Sequence, residues 1–320
     1  MALFGSTLTN NITNIKNTID SESFQLNDTD DLQPLFDQIG DARIVMLGEA
    51  SHGTHEYYTW RARISRRLIE EKGFNFIGVE GDWPDAYRLN RYVKGYTNAG
   101  DSARKVLSKI ERWPTWMWAN WETAALGEWL KEHNQSLPPN RRVGFYGLDV
   151  YSLWESMKAI IDYLEEEDPA AAVTARQALS CFEPYGEEGQ HYGLAARMAP
   201  RSCEGEVIEM LREIREKAPQ YDHDPEAAFN AEQNALVARN AERYFRTMIG
   251  SGPESWNVRD HHMHETLDRL LDFHGKHSKA IVWEHNTHIG DARATQMASR
   301  GMVNVGQLAR DAYSENEVVL

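Results

Sequence analysis

The segment Gly48-Glu49-Ala50-Ser51-His52-Gly53-Thr54 sets a carboxylate three residues from a histidine, between two glycines that permit close backbone approach. An imidazole titrates near working pH, and a neighbouring carboxylate fixes its tautomer, so Glu49 and His52 together could form a general base. The same loop could also use His52 only to cap or pack. Ser51 beside His52 suggests a serine nucleophile, but the segment lacks the Gly-x-Ser-x-Gly elbow and adjacent residues rarely aim at each other. Activated water is therefore expected rather than a covalent intermediate.

Arg61 follows seven residues after Thr54, where its guanidinium could meet a carboxylate, stabilise a developing oxyanion or face solvent. A second group, His285-Asn286-Thr287-His288, carries two histidines three apart. With Glu49 or Glu80 they could hold zinc or manganese, although there is no His-Glu-x-x-His helix and no cysteine contribution. Donation to a substrate or transition-state oxygen is the other role open to them. No metal or other cofactor is expected.

Positioning these residues calls for a sheet. Four apolar runs end in an acid or an acid-histidine pair: Arg43 to Glu49, Asn75 to Glu80, Arg142 to Asp149, and Lys279 to His285. Continuous apolar runs separated by helical stretches suit parallel strands covered on both faces. Ligands of such sheets bind beyond the carboxyl ends of the strands. Those ends carry Glu49, Glu80, Asp149, Glu284 and His285, with His52 and His288 three residues beyond two of them.

The fold class is therefore α/β, a mostly parallel central sheet flanked by helices, with a large helical insertion or cap. One helix runs from Thr54 to Lys72 with Gly73 as its stop, and another starts near Asp82 with Pro84 in its first turn. Residues 102–134 read as helical, broken at Trp113-Pro114. The chain divides into an N-terminal segment (1–40), a first part of the core (41–150), a helical insertion (151–275) and a second part of the core (276–320). The insertion is broken near 184–193, 200–205 and 218–225. A fifth strand opens at Glu317-Val318-Val319-Leu320, as it would in a C-terminally truncated fragment.

With 320 residues, 41% hydrophobic and ten tryptophans, the chain can bury a large core and a deep pocket. A net charge of -15 repels phosphate backbones and anionic lipid, so neither nucleic acid nor membrane is an expected partner. The start has no basic n-region, and no apolar run reaches the roughly 18 residues of a membrane span, which points by default to a cytoplasmic protein. Cys181 and Cys203 form no CxxC pair and read as buried thiols. His261, His262 and His264 read as a solvated helix face. The tryptophans around Pro114, Trp116 and Trp118 among them, suit core packing or an aromatic wall for a large apolar ligand.

Gly48 to Glu56, followed by Arg61 and by Gly78-Val79-Glu80-Gly81-Asp82-Trp83-Pro84, resembles the signature of the erythromycin esterase family. Trp283-Glu284-His285-Asn286-Thr287-His288-Ile289-Gly290 is similar to its second hallmark. The resemblance extends from about Asp41 to the last residue and implies a metal-independent hydrolase. In that reading His52 deprotonates water, and Glu49, Arg61, Glu80, His285 and His288 complete the catalytic set. Oxyanion stabilisation falls to Arg61, His285 or His288. Characterised members open the lactone of a macrolide antibiotic, which implies a small-molecule ester substrate and a role in resistance. Asn286, Trp116, Trp118 and Asp149 are the expected substrate-binding residues. Members usually continue well past this chain's last residue, and some are linked only to polysaccharide biosynthesis. A metal- or haem-binding protein, a hydrolase of an unrelated ester and a binding domain without turnover are the alternatives.

Overall fold

The computed structural model describes residues 3–24, 26–187, 189–198, 202–217, 225–250, 252–314 and 316–320. The chain divides into two compact units, Met1–Asp41 and Ala42–Leu320. Helices α1 (Leu3–Glu22) and α2 (Gln33–Ile39) make up the first.

The second unit is built on five strands, β1 (Ile44–Glu49), β2 (Phe76–Asp82), β3 (Gly144–Asp149), β4 (Ala280–His285) and β5 (Val318–Val319). All are parallel, in the order β3-β2-β4-β1-β5. Every residue of β2 and of β3 is buried, which is why these strands read as unbroken apolar runs instead of alternating ones. The α/β expectation is met, with most of the chain helical around the sheet. Parallel pairing brings the strand ends to one edge: Glu49 lies opposite His285, and Asp82 opposite Asp149 after a register shift in β2.

Helix α3 (His55–Lys72) begins after Thr54 and stops at Gly73, whose φ of 69° lies in the left-handed region that favours glycine. It is followed by α4 (Trp83–Val93), which starts after Asp82 with Pro84 in its first turn, then α5 (Ala103–Leu107) and α6 (Trp121–Gln135). Between α5 and α6, residues 108–120 form turns and one short 3-10 helix instead of continuous helix. Among the described residues, six α-helices then separate β3 from β4: α7 (Leu153–Glu167), α8 (Pro169–Phe182), α9 (Gly189–Met198), α10 (Glu204–Lys217), α11 (Pro225–Thr247) and α12 (Glu254–His274). Short helices α13 (Asn286–Ile289), α14 (Gln296–Ser299) and α15 (Val305–Ala312) lead to β5. The α7/α8 break was not legible as a boundary; Asp168 makes it by accepting the N–H groups of Ala170 and Ala171.

Two buried clusters hold the unit together. One is formed by α7 to α11, with Met157, Ile160, Phe182, Met210 and Ala238 among its members. The other joins the sheet to α12 through Met263, Leu267, Leu270 and Leu271. That second contact matters for chemistry, because it lays the first turns of α12 along the carboxyl edge.

Two expectations are corrected here. Cys181 and Cys203 are not thiols but a disulfide: α8 packs beside α10, bringing residues 22 apart in sequence to a Cα separation of 5.8 Å. The histidines of α12 do not share a solvated face either. His262 is buried and Nδ1 accepts from the Asn240 amide at 2.8 Å, and burial drives its pKa down to about 4.

Candidate active site

A cleft of about 340 Å³ opens at the carboxyl edge of the sheet. Its floor comes from the strand ends, with Glu80, Asp82 and Asp149, and one wall from residues 107–118, with Leu107, Ile110, Trp113, Trp116, Met117 and Trp118. His52, Tyr151 and Arg259 complete it.

His52 is about one-third exposed, and its Nδ1 lies 2.8 Å from Glu49 Oε1. The other Glu49 oxygen accepts from Arg61 Nη2 at 3.1 Å. Arg61 is buried between the rings of Tyr58 and Trp283, 4.8 and 4.9 Å from their centroids, and two of its nitrogens have no hydrogen-bond partner among the described residues. Its guanidinium therefore stands behind Glu49 and does not line the cleft. The three residues form a file, Arg61 to Glu49 to His52, whose last member reaches the cleft with Nε2 unbonded to any described residue. The hydrogen bond to Glu49 outweighs burial and raises the His52 pKa above the usual 6.5.

Two glycines make this loop fit. A Cβ on Gly48 would lie 2.0 Å from the Asn286 side-chain oxygen, and one on Gly53, where φ is 78°, would lie 2.8 Å from the Trp116 ring. Trp116 thus packs over the His52 loop, while Trp118 is tied to β2 by donating Nε1–H to the Glu80 carbonyl at 2.9 Å.

The second histidine pair is committed elsewhere. His285 sits 5.0 Å from His52, ring to ring, but its Nε2–H donates to the Ala50 carbonyl at 3.1 Å and its Nδ1 accepts the Thr287 N–H at 3.2 Å. It latches the His52 loop to β4. His288 is buried, stacked at 4.6 Å on Trp256, with Nδ1 at 3.0 Å from Asp260 and Nε2 at 2.9 Å from Arg259 Nη1. Burial holds its pKa down at about 4, so it is neutral. Asn286 is exposed, rests on Gly48 and does not line the cleft. Among the described residues, no three His, Cys, Asp or Glu side chains are arranged to hold a metal ion.

Arg259, from α12, stands just before the histidines that the sequence assigned to a solvated helix face, and carried no expectation of its own. It donates Nε–H and Nη2–H to the two Asp149 oxygens at 2.9 and 2.7 Å and a further Nη2–H to Glu80 at 2.7 Å. Burial alone would raise the Asp149 carboxyl; Arg259 outweighs it and holds the pKa at about 2. Glu80 turns its other oxygen to the His285 backbone N–H at 2.8 Å. Asp82 was read only as a helix start, yet it lines the cleft, pairs with Arg112 and leaves Oδ1 without a partner. There burial wins over Arg112, and the carboxyl is pushed up to about 7. Glu284 faces away from His285 along β4, and neither of its oxygens has a partner. Burial first, then Glu80 and Asp260, raise its pKa far above the carboxylate range.

A readable signal for α12 did exist. Asp260 falls three residues before Met263 and seven before Leu267, on the stripe that faces the sheet. A charge on an apolar stripe calls for a buried partner.

The erythromycin esterase family model matches residues 69–320. The chain belongs to this family. Erythromycin esterase type II of Escherichia coli is 27% identical over 146 residues, covering 44% of this chain and 32% of that protein. A putative hydrolase of Bacillus subtilis is 22% identical over 261 residues, covering 77% of this chain and 56% of its own. The match thus spans only about a third to a little over half of these curated relatives. Among solved structures, a succinoglycan biosynthesis protein superposes with a TM-score of 0.75 at 21% identity, covering 96% of this chain and 74% of that one. A mutant erythromycin esterase in its open conformation gives 0.65 at 19%, covering 92% and 72%. These likenesses establish the erythromycin esterase fold.

Proposed function

We propose that this chain hydrolyses a carboxylic ester by water that His52 activates, and that the ester is the lactone of a macrolide antibiotic. The observation that carries the reading is the file Arg61–Glu49–His52 ending in the cleft. Glu49 holds the proton on Nδ1, which leaves Nε2 as the base. Water bound at Nε2 loses its proton there as its oxygen attacks the ester carbonyl. The imidazolium then returns that proton to the leaving alkoxide, while Glu49 stays ionised.

Substrate class rests on the cleft wall. Leu107, Ile110, Met117 and three tryptophans offer a broad apolar surface with few polar groups, which suits a large macrocycle better than a short acyl ester. Trp116 and Trp118 are the proposed contacts, and Asp149 acts through Arg259. Macrolide resistance is the proposed cellular consequence.

No described helix is long and apolar enough to cross a membrane. The cytoplasmic location expected from the sequence has the Cys181–Cys203 disulfide against it, because such bonds persist mainly in oxidising compartments.

Incubating the protein with a macrolide panel and looking for addition of one water by mass spectrometry tests the reading. Wild type is expected to open at least one lactone, and a folded His52→Asn variant none. A His52→Asn protein with full activity would discard the mechanism, and a wild type active only on simple esters would discard the macrolide.

A further inference from the structure

Ester hydrolysis places a negative charge on the former carbonyl oxygen, and that oxygen needs a fixed donor inside the cleft. Each group expected for the task is either kept out of the cleft or already bonded. Arg61 is screened from the cleft by Glu49. His285 spends both nitrogens on Ala50 and Thr287, and His288 is bound between Asp260 and Arg259.

Arg259 lines the cleft, and its donors can be counted. A guanidinium carries five N–H bonds and no acceptor. One Nε–H and one Nη2–H go to Asp149, and the second Nη2–H goes to Glu80. Nη1 faces His288 Nε2 at 2.9 Å, and because Nη1 can only donate, Nε2 must accept; the His288 proton is then on Nδ1, toward Asp260. Four N–H bonds are thereby placed, and the fifth, on Nη1, has no partner among the described residues. Tyr151 covers one face of the guanidinium at 4.8 Å, so its plane is fixed as well. Arg259 is also close enough to His52 for its charge to act on that imidazole.

We propose that Arg259 is the oxyanion donor of this site, through its remaining Nη1–H, and that His288 is a positioning residue that aims it. The proposal rests on the ester-hydrolase reading. As water attacks, a C–O bond forms and the carbonyl π pair moves onto oxygen, where Nη1–H meets it. His52 has by then gained the water proton, so a cation has appeared beside the new anion. Collapse re-forms the carbonyl, breaks the bond to the alkoxide, and returns the proton to that leaving group.

Binding tests the donor without turnover. Benzyl methylphosphonate carries a monoanionic tetrahedral centre, and methyl 2-phenylethyl sulfone is its neutral counterpart of similar shape. Calorimetry on the wild type is expected to favour the phosphonate by about tenfold or more. Arg259→Lys keeps a charge but loses the planar fork, and should erase that preference while sulfone binding stays within a few-fold. Where an ester is turned over, the same variant should lose about a hundredfold in kcat with little change in KM. If Arg259→Lys does not fold, His288→Leu takes its place, with His288→Gln, which restores an acceptor, expected to recover the preference. A wild type that binds both probes equally, or a folded Arg259→Lys or His288→Leu protein that keeps the preference, overturns the proposal. Inactivity of the wild type toward every ester would count against hydrolysis, and the binding difference would still be read.

Discussion

Glu49 places one carboxylate oxygen 2.8 Å from His52 Nδ1 and offers the other to Arg61 at 3.1 Å, so a single buried side chain both orients an imidazole and anchors a guanidinium. Replacing it with glutamine keeps the shape but cannot accept from both neighbours at once, since one end of the amide must donate. Glu49→Gln is expected to lower kcat by roughly 10²–10⁴-fold with a small change in KM. Steady-state kinetics on any turned-over ester check this, and an unchanged kcat would remove Glu49 from the catalytic set.

Arg61 is buried against Glu49, so its role is to hold the carboxylate. Arg61→Met leaves that carboxylate without its cation and should cost roughly 3–5 kcal/mol of stability, read from urea denaturation. Adding Glu49→Gln to the same chain should recover part of the loss. Two losses that simply add would mean that the pair is not energetically coupled.

In the proposed mechanism His52 acts as the neutral imidazole, and its pKa is raised above 6.5 chiefly by the hydrogen bond to Glu49. Activity should therefore fall as pH drops through this raised value, with the acid limb of kcat/KM lying above 6.5. In Glu49→Gln the limb should move to lower pH. A limb at or below the ordinary imidazole value in the wild type would show that another group controls the reaction.

Asp82 titrates in the opposite sense to a stabilising carboxylate. Its pKa rises from 3.8 unfolded to about 7 folded, so across that window the native state holds a proton that the unfolded chain has released, and stability falls as pH rises. Asp82→Asn cannot titrate. Its stability relative to wild type should improve by roughly 2–4 kcal/mol between those two pH values and level off above them. Denaturation midpoints that keep a constant offset at every pH would contradict the account.

Much of this site was legible before any fold was known. Apolar runs that end in acids specify parallel strands, and parallel strands must deliver their carboxyl ends to one edge, which is why Glu49, Glu80, Asp149 and His285 come together. The glycines of the His52 loop and the stop at Gly73 were equally readable, because each answers a local steric demand. Asn286 shows the limit of such reasoning: it lies beside His285 in sequence, yet the turn into α13 directs it onto Gly48 and away from the cleft.

By itself the sequence determined the strands, their polarity and the residues at their ends, since these follow from burial of both faces and from local backbone preference. Only the tertiary structure decided how those residues divide the work. Whether a histidine is a base or a latch depends on which partners its two nitrogens meet, and those come from distant segments: Ala50 for His285, Asp260 and Arg259 for His288. Arg259 lies 110 residues from Asp149 in the chain, and no local pattern encodes that pairing. Packing of α12 against the sheet does, because it buries a guanidinium where two carboxylates must be neutralised.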